Sequence, residues 1–178
     1  MKKILIAVLI FTSQAFAQTF VARQSETILS FTGTLLSKGV NRKATVTLRE
    51  TSSSQDLLIV LEVKDFLFPT DFEQDEFNET FMESIYFPQI RISGVLKEKI
   101  DLKKDGIYIV NFPAKISIRK QSQNANIKTR IEITGDEAQV SFENILTLSD
   151  YYIPYSGEGS EIGKEAEFAF KADLIRTH

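Results

Sequence analysis

Apolar and polar residues alternate with a period of two along most of the chain. Between Lys43 and Arg49 the apolar residues at 44, 46 and 48 are separated by polar ones, and the same period governs residues 127–134. This period is that of a β-strand with one buried face. The pattern predicts about eight strands, at residues 27–33, 43–49, 57–66, 89–97, 107–119, 127–134, 138–148 and 165–175.

Turn-forming residues separate these strands, at 51–56, 101–106, 120–126 and 135–136. Such short connections favour antiparallel neighbours. Strands that are apolar on one face bury that face by closing into a barrel or by packing two sheets. Charges lie on the opposite face, where lipid would penalise them, so the apolar face points inward. The predicted fold is all-β, an antiparallel lipocalin-like barrel of about eight strands. The charged positions are Arg49, Glu62, Lys128, Glu132 and Glu167.

One segment departs from the two-residue period and predicts a short helix over about 71–84. Asp71 with Gln74 three residues later matches a capping box, and acids cluster in the first turns. Phe77 and Phe81 are four residues apart, with Met82 next to Phe81, so a helix would turn an apolar stripe to one side. We expect this helix at one end of the barrel.

The N-terminus has the order of a secretory signal peptide. Lys2 and Lys3 precede an unbroken apolar run at 4–11, and Ala15-Phe16-Ala17 supplies the small residues of a cleavage site. The run is too short for a membrane anchor, which needs about 20 residues. We expect cleavage after Ala17 and a periplasmic or secreted protein. No linker divides the remainder, so residues 18–178 are predicted to form one domain.

Composition removes several classes of function. The chain has no cysteine and a net charge of -3, and its one histidine is the terminal His178. Thiol chemistry, Ser/His catalysis and histidine metal sites are therefore not expected, and an acidic chain is poorly suited to nucleic acid. We expect no metal, no cofactor and no enzymatic activity. A carboxylate enzyme would need two facing acids, and the acids at 71–83 are typical of a solvated helix start.

Aromatic residues supply the candidate site. The sequence has 14 phenylalanines and five tyrosines, and they are dense between Phe66 and Phe87. A helix that covers a barrel with an aromatic stripe would leave an apolar cavity for a small hydrophobic or amphiphilic molecule. The residues expected to bind it are Phe31, Phe66, Phe68, Phe77, Phe81, Met82, Tyr86, Phe112, Phe142, Tyr152, Phe168 and Phe170.

A second interpretation stays open from the residues alone. The barrel could be solid, and Tyr151, Tyr152 and Tyr155 could form a surface for an envelope protein partner, because tyrosine serves as well in an interface as at a pocket mouth. A homodimer is equally open. The two interpretations differ in whether the barrel interior admits a ligand.

The order of these parts resembles the YceI-like family, periplasmic lipocalin-like barrels associated with polyisoprenoid binding. The resemblance spans nearly all of residues 18–178 and rests on a spaced pattern. An early strand matches at Ile28-Leu29-Ser30-Phe31, the strongest match is the helix, Tyr-Phe-Pro and strand of residues 75–94, and the closing part matches at 149–153 and 162–168.

The resemblance implies a long apolar tunnel for an isoprenoid or quinone-type amphiphile, lined by strand residues and by the helix. The chain lacks the histidines that are usual in the family soon after the first strand and in the helix, where it has Gln74-Asp75-Glu76-Phe77-Asn78. It also departs at a strand turn that often reads Gly-x-Thr followed by Lys-Pro, where it has residues 119–123. These departures affect the groups that would recognise a ligand's head group. The resemblance therefore implies an exported carrier, but it does not identify the ligand.

Overall fold

The structure, a computed structural model, describes residues 18–154 and 162–177. The chain forms nine strands in these ranges. They are β1 (Thr19–Phe31), β2 (Lys38–Asn41), β3 (Thr45–Glu50), β4 (Gln55–Glu62), β5 (Gln89–Val95), β6 (Gly106–Ile118), β7 (Gln121–Thr134), β8 (Glu137–Thr147) and β9 (Glu165–Thr177). Short 3-10 turns follow β4 at Val63–Asp65 and β8 at Leu148–Tyr151.

Eight of the strands close into a ring. Each of β3 to β8 pairs antiparallel with the next strand, and β1 completes the ring by pairing with β9 along its length and with β3 near its start. The ninth strand, β2, pairs with residues 27–30 of β1, on the edge that β3 also uses. The predicted all-β antiparallel barrel with a short helix is confirmed.

The strands bury the face that their alternation predicts. In β4 the side chains of Leu57, Ile59 and Leu61 are buried while those between them are partly exposed. The same alternation runs through β6 to β9, and the inward side chains form one continuous apolar core. Burial of this face is the main driving force for closing the sheet.

The β6–β7 connection corrects one prediction. Residues 120–126 were expected to be a turn, but β7 begins at Gln121 and the turn consists of Arg119 and Lys120, with φ of 48° and 65°. Positive φ at both central residues is the geometry of a two-residue hairpin, usually built with Asn-Gly. The first residues of β7 are polar on both faces, so they carry no two-residue period.

Two further segments were missed. β1 begins at Thr19, eight positions before the predicted 27, and β2 was not predicted. The register of β1 shifts between Ala22 and Gln24, which interrupts the alternation. The expected signal peptide, residues 1–17, lies outside the described residues, as do Tyr155 and His178.

The end of the barrel away from the helix is closed by a side chain. The guanidinium of Arg176 lies 5.0 Å from the Phe20 ring centre, and its Nη2 donates to the carbonyls of Leu102 (2.7 Å) and Gly135 (3.1 Å). Its Nη1 lies 3.0 Å from Asp136 Oδ1. This end of the barrel is therefore closed by packed and hydrogen-bonded groups. The opposite end is covered by the short helix.

Candidate functional site

A short helix covers the barrel where β1, β4, β6 and β8 end. An α-helical turn, α1 (Asp71–Asp75), continues into a π-helical segment (Glu76–Phe81), and the two together are called the end helix, residues 71–81. Its cap differs from the prediction: Thr70, not Asp71, is the N-cap, and its hydroxyl accepts the Glu73 N–H at 3.2 Å. Gln74 instead accepts the Phe68 N–H.

The π-helical segment turns its apolar residues into the barrel. The Met82 N–H donates to the Phe77 carbonyl at 2.9 Å, five residues back. The side chains of Phe77, Phe81 and Met82 are all buried, whereas Phe72 on the first turn is exposed. The wider turn therefore brings three apolar side chains under a helix whose first turns are acidic and exposed.

Phe77 is the centre of an aromatic group beneath the end helix. Its ring centre lies 4.7 Å from that of Phe68, 5.6 Å from Phe66 and 6.2 Å from Phe31, in tilted and edge-to-face arrangements. These four residues are the end cluster. Phe68 fits because residue 39 is glycine: a Cβ there would lie 2.5 Å from the Phe68 ring. The end helix is thus held on the barrel by aromatic packing.

A second aromatic group lies on the barrel wall. Phe142 of β8 and Phe170 of β9 are cross-strand partners with ring centres 5.1 Å apart, and Phe168 lies 6.0 Å from Phe142. These three residues are the wall cluster. All three are buried, as is Phe112 of β6. Their side chains pack in the same core as the end cluster.

The structure brings most of the predicted site residues together and separates two. Ten of them lie in the barrel core or packed against it: Phe31, Phe66, Phe68, Phe77, Phe81, Met82, Phe112, Phe142, Phe168 and Phe170. Tyr86 and Tyr152 do not join them, being 74% and 73% exposed. Both belong to irregular segments at the helix end, where Tyr86 lies between the end helix and β5 and Tyr152 follows β8. They are placed at the outer surface near the end helix.

Arg119, which the sequence did not single out, fixes the C-terminal side of the end helix. Its Nη1 donates to the carbonyls of Phe81 (3.0 Å) and Tyr152 (2.7 Å), and its Nη2 donates to Glu83 Oε1 (2.6 Å). The guanidinium also lies 5.6 Å from the Phe87 ring centre. The side chain is 11% exposed. One arginine therefore joins the end helix, the β6–β7 turn and the segment after β8.

Glu73 fixes the N-terminal side of the end helix. Its Oε1 accepts the N–H (3.0 Å) and the hydroxyl (2.6 Å) of Ser37, in the connection between β1 and β2. Its Oε2 accepts the Thr70 hydroxyl at 3.1 Å. The hydrogen bonds from Ser37, and then that from Thr70, lower the pKa of the Glu73 carboxyl, because they favour its charged form.

This lowered pKa predicts that the end helix loosens in acid. A group whose pKa is lower in the folded state stabilises that state above its unfolded pKa and loses this contribution as pH falls through the folded value. The ordinary pKa of Glu73 is 4.5. We therefore expect the melting temperature of the unsubstituted chain to exceed that of Glu73→Gln at pH 6, and the gap to shrink as pH falls below about 4.5.

A matched control is Glu79→Gln, which removes an exposed carboxylate from the same helix. We expect the melting temperature of Glu79→Gln to differ much less from that of the unsubstituted chain, at pH 6 and below pH 4.5 alike. If the difference in melting temperature between the unsubstituted chain and Glu73→Gln stays constant from pH 6 to pH 3, the ionised Glu73 carboxylate does not hold the end helix on the barrel.

Tyr151 is not part of a tyrosine surface, contrary to the second interpretation of the sequence. Its side chain is buried at 3% exposure, and burial, together with the nearby Asp150, raises its pKa to about 12. Of the three tyrosines proposed for a partner surface, only Tyr152 is exposed among the residues described. A partner surface built on all three is therefore not supported.

The outer wall carries a polar depression of about 460 Å³ between β1, β7, β8 and β9. Among its lining residues, Asp173 accepts amide hydrogens from Gln24 (2.6 Å) and Gln139 (2.7 Å), and these bonds lower the pKa of its carboxyl. A carboxylate held ionised in this way is a poor general acid. Among the described residues, no group of three or more acids or histidines is placed to hold a metal ion.

Comparison of this structure with solved structures finds strong matches over most of the chain. A polyisoprenoid binding domain from Saccharophagus degradans, implicated in plant cell wall breakdown, has a TM-score of 0.70 at 8% identity, covering 89% of this chain and 98% of that one. BcnA from Burkholderia cenocepacia has a TM-score of 0.68 at 11% identity, covering 84% and 95%. The Campylobacter jejuni YCEI protein has 0.58 at 11%, covering 76% and 81%.

The fold is that of the YceI-like family. The resemblance inferred from the sequence is thereby confirmed at the level of architecture, and the YceI-like barrel here includes the end helix. Comparison of the sequence itself with family models and with curated proteins finds no match. In the described ranges, no helix has the length and apolarity of a transmembrane segment.

Proposed function

We propose that this protein is an exported binding or carrier protein that holds a lipid-like molecule, of the isoprenoid or quinone type, inside the YceI-like barrel. The observation that carries the proposal is the continuous apolar interior beneath a separate cover. The end cluster lies directly under the end helix, and the wall cluster on β8 and β9 belongs to the same apolar core. The similarity to a polyisoprenoid binding domain supports the same class of ligand.

The end helix is the proposed entrance. The far end is closed by Arg176 and by strand connections, whereas the helix end is closed by one short element. That element is attached through Glu73 on one side and Arg119 on the other, with Phe77 packed below. Because the inward side chains contact one another, an occupant enters only when the end helix and the end cluster move together.

The proposed lining consists of the ten inward residues, with Tyr86 and Tyr152 outside at the entrance. Binding of this kind needs no bond to be made or broken, so no catalytic step is proposed. Export is proposed from the N-terminal sequence, with residues 1–17 as the removed segment and 18–178 as the working domain. An envelope location suits a carrier of poorly soluble molecules, since such molecules partition into membranes.

The first experiment is native mass spectrometry of the exported protein, purified from the envelope of its own host. We expect a bound amphiphile whose mass is lost after solvent extraction. Re-addition of a long-chain isoprenoid from neutral phospholipid vesicles should restore a one-to-one complex. Repeated absence of a bound amphiphile, together with no uptake from vesicles, would refute the proposal.

The entrance is tested by cross-linking. The chain has no cysteine, so the variant Ser37→Cys with Glu73→Cys carries a unique pair at two positions whose native side chains are 2.6 Å apart. Joining the pair with a short bis-maleimide should slow isoprenoid uptake at least tenfold, because it holds the end helix on the barrel. The two single-cysteine variants with the same reagent are the controls, and equal uptake in all three would show that the ligand enters elsewhere.

A further inference from the structure

Polar residues interrupt the apolar interior at one wall of the barrel. The buried polar residues of the described chain are Ser25, Thr27, Asn41, Gln55 and Thr129. Three of them, Ser25, Thr27 and Asn41, lie together on β1 and β2, where Thr27 and Asn41 are direct cross-strand partners. None of the five carries a charge, so this part of the interior is polar but neutral.

Two of these three side chains have a structural role. The Ser25 hydroxyl accepts the Ala44 N–H at 2.9 Å, and the Asn41 amide accepts the Lys43 N–H at 2.8 Å while donating to the Glu62 carbonyl at 3.0 Å. These hydrogen bonds fix the segment between β2 and β3, the two strands that pair with different parts of β1. Their polarity is therefore explained by the fold.

Thr27 has no such explanation. Its side chain is 0% exposed, and its Oγ1 has no hydrogen-bond partner in the structure. It faces the interior, because its cross-strand partner on β9 is the inward-facing Phe170 of the wall cluster. A buried hydroxyl without a partner costs free energy relative to valine, which has nearly the same shape and also favours strands.

A second hydroxyl lies on the same line of cross-strand partners. Thr27 pairs with Phe170, Phe170 with Phe142, and Phe142 with Thr129 of β7. Thr129 is also 0% exposed, and its Oγ1 donates only to the Ile127 carbonyl at 3.3 Å, which is long for a hydroxyl hydrogen bond. The stacked Phe142 and Phe170 rings therefore lie between two hydroxyls whose bonding is absent or weak.

We infer that Thr27 forms a polar subsite in the barrel wall that binds one uncharged hydrogen-bonding group, a hydroxyl or a carbonyl, of an otherwise apolar ligand. Thr129 lies three strands away along the wall, too far to bind the same group. The inference rests on the proposed function and adds the class of head group to it. A hydroxyl both donates and accepts, so it suits either group. A carboxylate or phosphate is excluded at this depth, because a buried anion needs a cation, and no lysine or arginine is buried in residues 18–154 and 162–177.

The test compares three C20 isoprenoid probes on the full-length protein: a primary alcohol, the corresponding hydrocarbon and the corresponding carboxylic acid. The unsubstituted protein should bind the alcohol about tenfold more tightly than the hydrocarbon, the usual effect of one net hydrogen bond in a buried site. The acid should bind most weakly at neutral pH. Thr27→Val should lose most of the alcohol preference while binding the hydrocarbon unchanged, whereas Thr129→Val, beyond the Phe170 and Phe142 rings, should keep that preference.

Thermal stability separates this subsite from a structural role. Thr27→Val should melt at the same or a higher temperature, because the substitution removes an unpaired buried hydroxyl, whereas a threonine needed for the fold would give a lower one. Thr47→Val is the matched control on the outward face of β3. It should change neither the affinity for the alcohol and the hydrocarbon nor the ratio between those two affinities.

The outcomes distinguish the two proposals. If the alcohol and the hydrocarbon bind Thr27→Val in the same ratio as they bind the unsubstituted protein, the subsite is overturned while barrel binding stands. If the acid binds most tightly, the neutral class of head group is overturned. If none of the three probes binds the unsubstituted protein, the proposed function is overturned and the subsite with it.

Discussion

Replacing Phe77 with alanine is expected to lower the free energy of unfolding by about 3–5 kcal/mol. The Phe77 side chain is 0% exposed and contacts the three other rings of the end cluster. Its loss removes the apolar area that holds the end helix on the barrel and leaves a cavity that the rigid strands cannot fill. Urea denaturation followed by circular dichroism measures the change.

Phe72→Ala is the matched control, since it removes the same side chain from the same helix where the ring is 61% exposed. We expect it to change stability by no more than about 0.5 kcal/mol. If Phe77→Ala does not fold, Phe77→Leu retains most of the volume and should cost about 1–2 kcal/mol. Equal effects at positions 72 and 77 would mean that the end helix is not packed through Phe77.

Replacing Arg119 with methionine is expected to cost about 2–4 kcal/mol. Methionine keeps the apolar stem and, like arginine, occupies the positive φ of 48° at some strain, so the difference reports the guanidinium. Without it, the Phe81 and Tyr152 carbonyls and the Glu83 carboxylate all lose a donor. Denaturation gives the cost, and hydrogen exchange should show the largest loss of protection in residues 77–84.

Arg23→Met is the control for loss of an arginine in an ion pair. Arg23 lies 2.9 Å from Glu137, but the two side chains are 59% and 64% exposed. Such a pair contributes about 0.5 kcal/mol or less, because water and salt screen it. If Arg119→Met were no more destabilising than Arg23→Met, Arg119 would not be a fixing point of the end helix.

The two-residue period predicted the barrel because most strands have one solvent-exposed and one buried face. Residues 43–49 illustrate this, since Val46 and Leu48 are buried and their neighbours are not. The tight turn of the β6–β7 hairpin, and the start of β7 at Gln121, were not predicted for two physical reasons. The turn residues, Arg119 and Lys120, lack the usual turn chemistry, and the strand that follows is polar on both faces.

The same contrast applies to the candidate site. Phe142, Phe168 and Phe170 occupy inward strand positions, and Phe77 and Phe81 have helical spacing, so periodicity placed them in the interior. Tyr86 and Tyr152 lie in irregular segments where no period assigns a face, and composition alone could not show that they are exposed. The role of Arg119 depends on three segments distant in sequence, which only the closed barrel brings together.

The two ends of the barrel are closed in different ways. The strands and Arg176 form a barrel closed at one end, while the end helix is held at the other end through the contacts of Glu73 and Arg119. Stabilising the end helix should therefore slow ligand entry, and weakening it should speed both entry and loss. The Phe77 and Arg119 variants are useful in binding studies for the same reason.

The most direct test of the central claim, that the ligand lies inside the barrel, is photo-labelling with an isoprenoid alcohol that carries a diazirine near its tail. A ligand inside the barrel should leave labels on inward residues such as Phe142, Phe168 and Phe170, mapped by peptide mass spectrometry. Labels confined to outward apolar residues such as Ile107, Ile109 and Ile145, which are more than half exposed, would contradict it.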